Sequence, residues 1–180
     1  MKNIYSIILF LFVVAVVNTA TAQQESMFTH YMFNKLAINP GYAGSQDAIS
    51  ITALHRSQWV SFEGAPTTQS VTAHMPITGK NFGVGLGVVN DQVGPTQNMG
   101  VAGNFSYHLK VNEKAKLGLG ISAAVNFVST NLTSLAIVEQ NDVAFSENIS
   151  SKALPNFGFG AYYYTRKYFA GISTPKLLQN

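Results

Sequence analysis

With 180 residues, 47% hydrophobic and only 11% charged, the chain lacks the charged shell of an ordinary soluble domain, which carries about 25%. Its net charge of +3 contains no Lys/Arg block, which argues against nucleic acid as a partner. It has no cysteine, so disulfides cannot hold the fold together.

Residues 1–22 read as a cleaved signal peptide: a basic start at Lys2, an almost unbroken apolar run over 4–17, and Ala20-Thr21-Ala22 for the peptidase. The run is too short for a spanning helix, and no cationic stop-transfer sequence follows it. After residue 22 no apolar stretch is long enough for such a helix either. An exported, apolar chain without long apolar runs can hide its hydrophobicity in alternating strands, as a transmembrane β-barrel does.

Residues 23–48 have neither the helical nor the strand period and read as a periplasmic lead-in. Within it, Asn39-Pro40-Gly41-Tyr42-Ala43-Gly44-Ser45 predicts a tight turn. Pro40 fixes φ and biases Asn39 away from helix, the glycines allow positive φ, and Tyr42 is a packing anchor. The segment 28–45 is expected either to plug a barrel lumen or to meet a periplasmic partner, or else to pack on the barrel rim.

From residue 49 onward, period-two alternation predicts seven strands. They are 49–59, 68–75, a third one from 82, 101–111, 117–127, 157–164 and 168–173. In the third, Phe82, Val84, Leu86 and Val88 alternate with Gly83, Gly85 and Gly87. The fourth places Val101, Gly103, Phe105, Tyr107, Leu109 and Val111 opposite Ala102, Asn104, Ser106, His108 and Lys110. The fifth repeats the pattern, with Leu117 to Phe127 opposite Gly118, Gly120, Ser122, Ala124 and Asn126. One face suits lipid and the other water. Strands of this length favour a tilted membrane crossing over a sandwich.

The connections read as alternately long and short, with "ITGK", "NEK" and "TRK" as periplasmic turns and loops near Gly64, Gly94 and Glu139 facing outward. Trp59 and Phe62, and the tyrosines around "TRK", read as interface aromatics. The fold class is therefore all-β: a transmembrane up-and-down antiparallel β-barrel, incomplete, over 49–180. Seven strands is an odd number and the last would end on an unpaired edge, so a larger barrel is expected of which this is the N-terminal part.

Catalytic and cofactor signals are weak. His30, His55, His74 and His108 lack metal-ligand spacing and read as solvated or lumen-facing. Gly85-Leu86-Gly87 lacks the third glycine of a dinucleotide loop and opens no helix, and neither a Walker motif nor G-x-S-x-G is present. No catalytic, metal or cofactor-binding residue is assigned.

The chain resembles the PorP/SprF family of type IX secretion outer-membrane proteins of Bacteroidetes. The likeness is carried by Phe28-Thr29-His30-Tyr31-Met32-Phe33-Asn34, Ile38 through Ser45, Arg56-Ser57-Gln58-Trp59-Val60 and Gly64-Ala65-Pro66-Thr67-Thr68-Gln69. It continues through Asn90-Asp91, Gly94-Pro95-Thr96, Asn131-Leu132-Thr133-Ser134-Leu135 and Leu154-Pro155-Asn156-Phe157-Gly158. The resemblance implies a non-enzymatic adaptor in the outer membrane that contacts lipid, exported cargo with a type IX C-terminal signal and periplasmic ring components. It also implies roles in adhesin export and gliding motility. The rival readings are a passive or selective porin, an outer-membrane hydrolase and a soluble β-sandwich. Candidate partner contacts are Phe28, Tyr31, Phe33, Asn39, Pro40 and Tyr42 in the lead-in, with Gly83, Gly85 and Gly87 on a wall whose missing side chains admit close approach.

Overall fold

A computed structural model describes residues 33–132 and 149–178. Seven antiparallel strands follow one another in a single sheet in chain order, and the sheet curls into a half-barrel. They are β1 (Ser50–Ser57), β2 (Thr67–Pro76), β3 (Phe82–Val93), β4 (Thr96–Asn112), β5 (Ala115–Thr130), β6 (Ile149–Thr165) and β7 (Phe169–Thr174). Among the described residues, β1 and β7 are paired on one side only. No helix among them is long and apolar enough to cross a membrane, which says nothing about crossing by strands.

The two faces are inside-out relative to a soluble protein. On β4 the buried side chains are polar: Ser106 is 0% exposed, Asn104 9% and His108 7%. The apolar residues between them point outward with their neighbours, in the register pairs Phe105↔Ile121, Tyr107↔Leu119 and Leu109↔Leu117. Ile121 is 63% exposed. Phe82 packs on this outer surface too, its ring 5.3 Å from that of Phe105 and 5.1 Å from that of Tyr107. Strands apolar outside and polar inside suit a lipid-facing wall around a polar interior.

Three strands, β3, β4 and β6, extend into segments that read as loops. The stretch around Gly94 is a tight hairpin: Val93 pairs with Thr96, and Gly94 takes φ +56° ahead of Pro95. A residue with φ > 0 at the first central position is what a II′ hairpin requires. The polar residues that suggested a loop are at home in the strands: Asp91 lies on the inner side, where Thr68 donates to it, and Gln97 donates to Asn90 at 2.9 Å. β6 likewise begins at Ile149 rather than 157. The long-short alternation of connections therefore fails at β3–β4. After β7 the chain continues along the inner side of β6, where the Leu177 and Leu178 amides donate to Asn156 Oδ1 and the Asn156 Nδ2 donates to the Leu178 carbonyl.

Candidate functional site: the trough under the lead-in

The lead-in crosses the inner face as two short 3-10 turns, Lys35–Ala37 against β2 and β3, and Pro40–Tyr42 against β4, β5 and β6. It lies in a trough that exists because small residues align in register. Gly83 pairs with Ser106, Ser106 with Gly120, Gly120 with Gly160 and Gly160 with Ser173, giving one transverse row over five strands. A Cβ on Gly120 would overlap the Pro40 carbonyl carbon and Gly41 nitrogen, and one on Gly83 would overlap the Ala43 carbonyl. From the other side, a Cβ on Gly41 would lie 2.7 Å from the Gly118 carbonyl oxygen. Backbone thus meets backbone, as strand glycines allow.

Asn39 fixes one end of the segment. Its φ of −133° and ψ of 110° are the extended values favoured before proline. Its Oδ1 accepts from the Gly41 amide at 2.9 Å, while Nδ2 donates to the Ala161 carbonyl at 3.0 Å and the Ile172 carbonyl at 3.4 Å. One amide therefore caps the turn and ties it to β6 and β7.

At the other end, a single peptide unit is held from both sides. The Ala43 carbonyl accepts from Ser106 Oγ and from His108 Nε2, the latter at 2.8 Å. The amide of the same unit, Gly44 N–H, donates to His74 Nδ1 at 3.2 Å. Tyr164 hydroxyl lies 3.1 Å from His108 Nδ1. Gly44 sits at φ +69° with its Cα-side space closed by Met75 and Pro76 backbone, so only glycine fits. Beyond it Asp47 pairs with Lys116 at 3.8 Å.

Tyr42 lies between these anchors. Its ring meets His74 edge-on at 5.0 Å and Tyr162 at 5.2 Å, and Lys35 Nζ approaches it to 5.6 Å and Phe169 to 3.8 Å. The hydroxyl accepts from exposed Gln46 at 2.9 Å. Tyr42→Phe should therefore cost under about 0.5 kcal/mol, as surface changes usually do. Tyr42→Ala should cost about 3 kcal/mol through lost aromatic packing. Denaturant unfolding of the full chain in detergent reads both.

Of the sequence-predicted residues, the structure brings Asn39, Pro40, Tyr42, Gly83 and Gly85 together, Gly85 lying under Leu36. Gly87 is on the same face but lies beyond the lead-in, with Thr72 as the neighbour a Cβ would meet. It lines a cavity of about 190 Å³ together with Leu36, Asp91, Asn98, Asn104 and Asn126. Phe33 stands at the start of the segment, 65% exposed. Phe28, Tyr31, the signal peptide and the loop at Glu139 lie outside the described residues. Sequence reasoning missed His74, Ser106, His108 and Gly160 as contacts of the lead-in; the signal was their place on the polar side of the alternation. Among the described residues no three His, Asp or Glu side chains cluster as a metal site.

A family model described as "Type IX secretion system membrane protein PorP/SprF" matches residues 20–180. The chain belongs to the PorP/SprF family. It is thus a membrane component of the type IX secretion system, and the family is not one of known enzymes. No curated protein and no solved structure matches the chain.

Proposed function

We propose that this PorP/SprF member is a non-enzymatic outer-membrane barrel component, exported by a signal peptide over residues 1–22 that is cleaved. Residues 49–180 form part of the barrel wall, and the lead-in 23–48 enters from the periplasmic side. It takes part in export or surface attachment of cargo carrying the type IX C-terminal signal, adhesins among them, and through them in gliding motility. It docks to periplasmic ring components, with lead-in residues among the contacts.

The observation that carries this reading is the inner wall itself. A row of small residues, flanked by side chains that hydrogen-bond to carbonyls and amides, is suited to holding polypeptide main chain. That is a sensible property for a wall in a protein-export machine. The lead-in lying across the inner face also weighs against the porin reading, since it occupies the path that solute would take.

Affinity purification of the tagged, full-length protein from the membranes of its own cells tests the proposal. Secretion-ring proteins and signal-bearing cargo should co-purify. Their absence, together with stable open-channel currents from the purified protein in planar bilayers, would favour a porin instead.

A further inference from the structure

The peptide unit joining Ala43 to Gly44 is gripped by two histidines from different strands, and the grip is asymmetric toward protons. A carbonyl can only accept, so His108 carries its proton on Nε2 to serve Ala43. Its Nδ1 then accepts from Tyr164 hydroxyl. Adding a proton to His108 need not break either contact, because the tyrosine oxygen can accept in turn.

His74 differs. The Gly44 amide can only donate, so His74 Nδ1 must be an unprotonated acceptor. Protonation sets N–H against N–H and places a cation in a site with little to receive it among the described residues. The register partners of His74 are Ser50 on β1 and Gly85 on β3, neither of them charged. The lead-in offers the Tyr42 ring, which already faces Lys35. Across the gripped unit stand His108, Tyr164 and, from β5, Lys116; the acid of this cluster, Asp47, is engaged by that lysine.

We propose that His74 is an acid-sensitive latch on the lead-in, with Ser106 as an anchor that does not titrate and His108 as one whose two hydrogen bonds survive protonation. This rests on the reading of the seated lead-in as a lumenal segment. The released state takes up the extra proton, so the lead-in is held near neutral pH and its Gly44 end is freed as pH falls through the imidazole range. The latch regulates access to this end of the trough: with Ala43 still held, a freed Gly44 end uncovers the Met75 and Pro76 main chain beside it for an incoming chain.

The absence of cysteine makes the test simple. A nitroxide is attached to Gln46→Cys, an exposed site next to the latch, in the full chain in detergent micelles. The mobile spectral fraction should rise at least about threefold between about pH 7.5 and about pH 5. Asn places an amide oxygen where His has Nδ1 and does not titrate, so adding His74→Asn should leave the label immobile across that range. His108→Gln should keep the rise. A rise that persists in His74→Asn, or a label immobile at every pH in the parent, overturns the latch. A label already mobile at neutral pH overturns the seated lead-in on which it rests.

Discussion

Gly120→Val is expected to unseat the lead-in while leaving the outer surface of the sheet intact. The new Cβ would occupy the position of Pro40 and Gly41 main-chain atoms, and backbone on a strand cannot turn aside as a flexible side chain can. Overpacking of this kind costs about 3 kcal/mol, enough to lower the seated population roughly 100-fold. The same mutation on the other face is a control. Ala123 is exposed on the lipid side of β5, and Ala123→Val should change stability by less than about 0.5 kcal/mol. Protease cleavage within the lead-in of the full chain reads the difference: rapid for Gly120→Val, unchanged for Ala123→Val. Equal protection of both would mean that the trough does not hold the segment.

The second large effect is at Asn39, where the chemistry of the substitution matters more than its size. Asn39→Ala leaves the Ala161 and Ile172 carbonyls and the Gly41 amide without this partner, costing about 2–3 kcal/mol. Asn39→Asp is nearly isosteric and keeps the acceptor for Gly41. It replaces the donor by a buried anion facing two carbonyls, so it should be the worse of the two by at least about 1 kcal/mol at neutral pH. Protonating the aspartate restores one donor, and the gap should narrow as pH falls through the carboxyl range. Unfolding midpoints of the three proteins at neutral and acid pH measure both claims. An aspartate variant more stable than the alanine one would contradict the assigned amide orientation.

The faces of the strands were legible because each is decided locally. Along 103–109 and 117–123 each residue's side follows from its parity, and burial alternates there as parity requires; at the end of β4 the alternation stops where the register shifts between Lys110 and Asn112. The ends of β3, β4 and β6 were not legible. Polar residues such as Asp91 and Asn98 look like loop in a soluble frame, yet they are ordinary residues for the inner side of a wall whose interior is polar. The trough lay further out of reach. Gly83, Ser106, Gly120, Gly160 and Ser173 are scattered over 91 positions of chain and become one row only through four successive registers. Gly83 and Gly85 could be singled out because they alternate within one strand; Gly160 is far from them in sequence. The histidines were harder still, since His74 and His108 are related only by the peptide unit between them, which belongs to neither strand.

The central claim is that the apolar face of this sheet meets lipid and the opposite face encloses the lead-in. A nitroxide scan along residues 117–127 of the full chain in lipid bilayers tests it most directly, by collision with oxygen, which concentrates in the hydrocarbon. Oxygen accessibility should alternate with period two, high at Leu119, Ile121 and Ala123 and low at Gly120, Ser122 and Ala124. A flat profile, or one with the even positions more accessible, would contradict the account.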